Sequence, residues 1–366
     1  MLKKIDFWKV KFDPNVTNLI KKNITNQNIS QGRITEFFEK EVSKKLNINY
    51  CVMTNNGSVA LLMSLFAIGL KKNDEVIVQD RTWVSIANAI SIIGAKIKLV
   101  DVDEQAQIID LNKLGKLISN KTKALIITHM NGNSIDMDKI KFIKKKYKNL
   151  KIIEDASQAF LSKFDSKFLG TFGDLGCFSL SIAKLLSTGQ GGFVVTNKKE
   201  YYNFLKFFRS HSLKSNKEIE FKNFGFNFRF NDILATFGLY HLKNINSKIN
   251  KINYIYQLYI NGLKNCSKIS IIKKTSNQTI PIYIEARVDD RDRFYNFMKK
   301  RRIEIRKFYN SLSSINYIKK IILNKNFEFL NSKKFEKNGI YLPSGPNQEI
   351  QDIKRVINLI KEYDLS

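Results

Sequence analysis

Histidine and cysteine are scarce in this chain, and acids are outnumbered by bases. The three histidines, His129, His211 and His241, are spread along the sequence, and no two of them stand with cysteines at metal-ligand spacing. That excludes a structural zinc site, and no metal is expected. The three cysteines, Cys51, Cys177 and Cys266, are odd in number, far apart and in apolar contexts. This excludes a disulfide framework and points to reduced thiols in a cytoplasmic protein. Long hydrophobic runs are missing too. The longest, "VALLMSLFAIGL" at 59–70, is too short to cross a bilayer, and the N-terminus lacks the apolar core of a signal peptide. There is no internal repeat and no Pro-rich or Ser-rich linker.

The shortage of acid leaves 62 basic residues against 33 acidic ones, a formal charge of +29. Such a surplus attracts anions, so nucleic acid, an anionic membrane or a phosphorylated small molecule each become candidate partners. The bases are not gathered in one arm but spread with abundant Asn and Ile, as in "NKTKALIIT", which favours a general lysine bias. Only "KKRRIEIRKFY" (299–309) resembles a nucleic-acid patch, and its helical spacing suits a solvated face, so no nucleic-acid partner is expected.

What is present is an alternation of short apolar runs and helical patterns. Strands are expected at 74–80, 96–102, 122–130, 150–157, 176–181 and 191–197, with helices at 35–46, 57–70, 83–95 (ending at Gly94) and 134–147 (starting at Ser134). Near-continuous apolar strands between helices predict an α/β fold with a mostly parallel sheet covered on both faces. One helical pattern runs through 231–263, followed by strand, strand, helix and an amphipathic terminal helix. These predict a large domain over 1–250 and a smaller α+β domain over 251–366.

In such sheets ligands bind beyond the carboxyl ends of the strands. There lie Gly57-Ser58, Trp83, Asp155 with Gln158, and Ser179 with Lys184. Each has a plain reading on its own: Asp155 or Gly57-Ser58 as a helix cap, Trp83 as core, Lys184 as a surface lysine, "TGQGG" as a turn. Together they offer free N–H groups and a hydroxyl for a phosphate, a carboxylate for a pyridinium nitrogen, an indole to stack on a flat ring, and an amine that can form an imine. Pyridoxal 5′-phosphate asks for all of these at once.

At these residues the chain resembles the DegT/DnrJ/EryC1/StrS family of nucleotide-sugar aminotransferases, with the aspartate aminotransferase fold (fold type I, a seven-stranded sheet). The matching segments include "NNGSVAL", "DEVIVQDRTWVSIANAISIIGAKIKLVDVD", "IIEDASQA", "GTFGDLGCFSLSIAK", "TGQGGFVVTN" and "GFNFRFNDILATFGLYHL". The resemblance implies that Lys184 carries the cofactor and moves the proton. It implies that Asp155 partners the ring nitrogen, Gln158 lies beside the ring hydroxyl, Trp83 stacks on the ring, and Gly57, Ser58 and Ser179 cup the phosphate. It also implies that Asn227 reaches the phosphate of a neighbouring subunit, hence a homodimer with shared sites. The substrates implied are glutamate and a nucleotide-linked keto sugar destined for surface glycans such as O-antigen. "TWVSIANAI" is more similar to relatives acting at C4 of a 4-keto-6-deoxy sugar than to those acting at C3. Relatives with histidine in place of the lysine are dehydratases, and Lys184 argues against that chemistry. "HMNG" (129–132) departs from the usual "HLYG". The region of "TIPIYIEA" lacks the family's histidine-containing strand, which leaves substrate identity open.

Overall fold

The computed structural model describes residues 3–9, 13–213 and 223–366. Its large sheet has seven strands: β1 Tyr50–Thr54, β2 Glu75–Gln79, β3 Lys96–Val100, β4 Thr122–Thr128, β5 Lys151–Asp155, β8 Leu175–Ser179 and β9 Gly192–Thr196, with a two-residue hairpin, β6 Lys163–Phe164 and β7 Lys167–Phe168, between β5 and β8. The spatial order is β1-β9-β8-β5-β4-β2-β3. Only β9 runs against the rest, pairing antiparallel with both β1 and β8. The central strands are buried along their whole length, which is why they read as unbroken apolar runs such as "EVIVQ" and "GFVVT".

Helices α1 Pro14–Thr25, α2 Arg33–Leu46, α3 Gly57–Ala67, α4 Ser85–Ile93, α5 Leu111–Leu114, α6 Met137–Lys146, α7 Lys199–Phe208 and α8 Asp232–Lys243 accompany this sheet, burying a core on each face. Helix α4 ends at Gly94, whose φ of 80° is the left-handed cap expected of glycine there. Helix α6 starts three residues later than expected. Asp136, not Ser134, caps it by accepting from the N–H groups of Asp138 and Lys139, both at 3.1 Å, whereas the Ser134 hydroxyl is spent on the Ile135 carbonyl. The single pattern expected over 231–263 is two helices, α8 and α9 Ile245–Gly262, broken at Asn244.

A second sheet joins β10 Ile269–Ile271, β11 Ile284–Val288, β13 Gly339–Leu342 and β12 Arg306–Lys307, all antiparallel. Helices α10 Arg291–Lys300, α11 Leu330–Asn338 and α12 Ile350–Leu365 pack with it. Helix α9 crosses residue 250 and serves both units: Ile245 and Ile252 belong to a core of the large sheet, Ile255 and Tyr259 to that of the small one. Two exchanges tie the units together. Residues 3–9 lie along the small sheet as a strap, with Ile5 bridged to Ile303 and Trp8 to Ser344, while Leu312, Ile318, Ile322 and Phe329 return to the core beside β3.

A candidate active site at the strand ends

The carboxyl ends of the parallel strands open into a cavity of about 540 Å³. Gly57, Ser58, Trp83, Asp155, Gln158, Ser179 and Lys184 all line it. Of the residues singled out from sequence, only Asn227 does not. It sits on the segment after the undescribed stretch, bridged to Ser210.

The sheet register builds the floor. Gly192 pairs with Thr54 on one side and Ser179 on the other, which draws the start of α3 against the end of β8. The approach is close: a Cβ on Gly192 would come within 2.5 Å of the Asn56 backbone, and one on Gly57 within 2.9 Å of the Ser179 side chain. Asn56 is the N-cap, its side chain accepting from the Val59 N–H at 2.9 Å. Gly57 and Ser58 therefore occupy the first turn, where N–H groups have no partner within the helix. That backbone cradle, with the Ser179 hydroxyl beside it, fits a phosphate.

Asp155 closes β5 and is buried. Burial pushes its carboxyl above the usual carboxylate range, while hydrogen bonding from Ser157, then Lys184 and His129, pulls the other way. Its Oδ1 accepts from the Ser157 N–H at 3.1 Å, and a buried carboxylate on the cavity wall fits a protonated ring nitrogen. Behind it the His129 N–H donates to the Asp155 carbonyl at 3.0 Å. His129 Nε2 lies 2.8 Å from Glu154, which also accepts from the N–H groups of Gly170, Phe172 and Gly173. Gln158 accepts from the Asn131 N–H at 2.9 Å, which turns its amide NH₂ toward other partners.

Lys184 is half-buried, with Nζ 5.7 Å from the centre of the Tyr283 ring, whose hydroxyl donates to the Ala183 carbonyl. Trp83 is 53% exposed, so it is not a core residue; it meets Tyr309 edge-on at 5.2 Å on the cavity wall.

The other half of the wall went unread in the sequence. Phe7, Tyr283, Arg306, Lys307, Tyr309 and Tyr341 come from the strap and the small sheet. Tyr283 stands in "TIPIYIEA", where the family's histidine motif is missing, and Asn131 of "HMNG" clamps it through both its N–H and its carbonyl, at 2.8 and 2.9 Å. The two departures from the family pattern thus meet in one contact. The basic stretch 299–309 is laced with acids: Arg301 pairs with Glu362, Arg306 with Glu304 and Lys307 with Asp292.

The model of the DegT/DnrJ/EryC1/StrS aminotransferase family matches residues 11–361. This chain belongs to that family. It is 31% identical to the GDP-perosamine synthase of Escherichia coli O157:H7 over 340 residues, covering 91% of each chain. It is 30% identical to the dTDP-4-amino-4,6-dideoxy-D-glucose transaminase of Shigella dysenteriae over 76% of this chain and 77% of that one. Among solved structures, PseC of Helicobacter pylori, an aminotransferase involved in the biosynthesis of pseudoaminic acid, superposes with a TM-score of 0.92 at 22% identity, covering 98% of this chain and 99% of that one. The protein is a sugar aminotransferase of the α/β class seen in those structures, and pyridoxal 5′-phosphate is its cofactor.

Proposed function

We propose that this enzyme moves an amino group from glutamate to C4 of a nucleoside-diphosphate-linked 4-keto-6-deoxy sugar, as a cytoplasmic homodimer serving surface-glycan synthesis. The observation that carries the amination chemistry is the convergence of Lys184, Asp155 and the Gly57-Ser58-Ser179 cradle on one cavity. C4 is favoured because the relatives' names specify 4-amino-4,6-dideoxy sugars, on UDP in the Campylobacter jejuni altrosamine transaminase and on dTDP in the Shigella enzyme. The nucleotide differs among them, and GDP comes with perosamine synthase.

Bound pyridoxal phosphate supplies an electron sink conjugated to the reacting nitrogen. The chain's residues do the rest. Gly57, Ser58 and Ser179 hold the phosphate, Asp155 keeps the ring nitrogen protonated, and Trp83 covers one ring face. Lys184 Nζ would carry the cofactor and, once the donor amine had taken its place, would be the base that accepts the donor's α-proton and, with the acceptor bound, the acid that hands a proton to its C4. A dimer is supported by the aromatic residues that one chain leaves exposed: Phe204, Phe207, Phe224 and Phe226, the last adjoining Asn227 in sequence, with Phe224 exposed by 62%.

The test is optical and then chemical. Purified holoenzyme should be yellow and lose that band on adding glutamate, and Lys184→Ala should abolish the response. NMR of products from GDP-, UDP- and dTDP-linked 4-keto-6-deoxy sugars should show a 4-amino sugar from one of them. A 3-amino product would overturn the assignment to C4, and no loss of the band with glutamate would overturn the donor.

A further inference from the structure

The strap at residues 3–9 carries no family motif, yet it sends one side chain into the cavity. Phe7 is buried, stacks on Tyr283 at 6.0 Å and meets Tyr341 at 6.1 Å. Its backbone is held at both ends. The N–H donates to Glu304 Oε2 at 3.2 Å, and the carbonyl accepts from the Ser344 N–H at 3.0 Å. The other oxygen of Glu304 accepts from Arg306 Nε and Nη2, at 3.3 and 3.1 Å. The guanidinium so anchored lies over the face of Phe7, with Cζ 4.4 Å from the ring centre. Phe7, Glu304 and Arg306 therefore close a loop: a carboxylate grips one edge of the guanidinium and an aromatic ring covers one face. The Nη1 corner makes no hydrogen bond among the described residues, and Arg306 lines the cavity with 59% of its side chain exposed.

We propose that Arg306, held by Glu304 and by Phe7 of the N-terminal strap, reads the diphosphate of the nucleotide-linked acceptor at the cavity mouth. This rests on the aminotransferase function proposed above and names a specificity determinant for its second substrate. A planar guanidinium matches phosphate oxygens with paired N–H donors, and a fork already fixed by a carboxylate and a ring loses little freedom on binding. Glu304 balances the charge, so recognition depends on the fork, and a lysine cannot replace it. The position suits the acceptor better than the donor. Tyr283 and Phe7 stand in contact order between Lys184 and Arg306. A glutamate reacting at Lys184 ends one short side chain away, whereas the diphosphate of the acceptor lies a whole sugar ring beyond the reacting carbon.

The experiment compares holoenzyme with Arg306→Ala, Arg306→Lys and Phe7→Ala, using whichever of the three nucleotide-linked 4-keto-6-deoxy sugars the wild-type enzyme aminates. Arg306→Ala and Arg306→Lys should each raise the acceptor KM by about tenfold or more, while the rate of glutamate-dependent loss of the yellow band stays within about twofold of wild type. Phe7→Ala should give a smaller rise of the same kind. An unchanged acceptor KM in Arg306→Ala would overturn the proposal. A glutamate half-reaction slowed as much as the full reaction would also overturn it, assigning Arg306 to the donor carboxylate. Arg306 is a surface side chain, so its variants keep the test open even if Phe7→Ala fails to fold. Failure of the proposed donor and acceptor looks different, because the wild-type protein itself would then show no glutamate response or aminate none of the three sugars.

Discussion

Arg81 is the largest fully buried side chain and makes no ion pair among the described residues. Its guanidinium lies between the rings of Phe308 and Tyr309, 4.4 and 4.2 Å from their centres, and its Nη1 donates to the Tyr309 carbonyl at 2.6 Å. Nε donates to Gln107 Oε1 at 2.9 Å, and Gln107 Nε2 donates in turn to Glu285 at 3.1 Å. A buried cation from the large unit and a buried acid from the small one are thus joined through an amide, directly behind the Tyr309 and Tyr341 wall. Burial raises the Glu285 carboxyl from the ordinary 4.5 to about 7; Arg81 and Asn131 oppose the rise, and Tyr309 and Tyr341 face the same group. An acid whose folded value is raised favours the folded state while protonated, and that contribution is lost as pH climbs through the folded value. Wild type should therefore lose stability relative to Glu285→Gln between pH 4.5 and about 7, by up to about 3 kcal/mol. Urea unfolding of both proteins below and above that window measures it, and parallel curves would refute it.

At the level of elements, α2 shows how a helix can be started from far away in the chain. Its N-cap is Gly32, which has no side chain to offer. The service comes from Asp232 at the head of α8, which accepts from the N–H groups of Gly32, Ile34 and Thr35 and from the Thr35 hydroxyl, at 2.6 to 3.3 Å. Asp232 is itself buried, so its loss strands donors that water cannot reach. Asp232→Ala should cost about 2–3 kcal/mol in chemical denaturation. A cost within the noise of a surface substitution would show that water takes over the cap. Strand and helix identity were legible because burial leaves its period in the residues, 2 or unbroken for strands and 3.6 for helices. Ends were less legible. Ser134 and Asp136 both offer a capping oxygen, and only the folded chain decides which one reaches free N–H groups.

For the whole molecule, the question is which chain completes which site. Asn227 stands off the cavity of its own chain, beside the exposed Phe224 and Phe226. If it serves the neighbour's phosphate, Lys184→Ala and Asn227→Ala should complement each other. A mixed dimer would then contain one intact site, and random re-pairing of the two inactive variants should restore about a quarter of wild-type sites. No recovery from a mixture shown by mass spectrometry to contain mixed dimers would place Asn227's role within its own subunit. The two chain ends also meet at this scale: the strap at 3–9 and the turn at Ser344 lie together on the small sheet, and Lys3 pairs with Asp352 of α12 at 2.9 Å.

The sequence by itself determined the α/β class, the alternation of strands and helices along the chain and the residues that line the inner half of the cavity. Gly57, Ser58, Asp155, Gln158, Ser179 and Lys184 all end or follow strands, and a parallel sheet delivers the carboxyl ends of its strands to one edge. Only the tertiary structure decided the outer half. Phe7 stands 276 positions before Tyr283, while Arg306, Tyr309 and Tyr341 follow further along the chain, and each looks locally like an ordinary aromatic or basic residue. Nothing in their own neighbourhoods records the contact, because it arises from docking the strap and small sheet against the large unit, and such docking is a property of the closed chain.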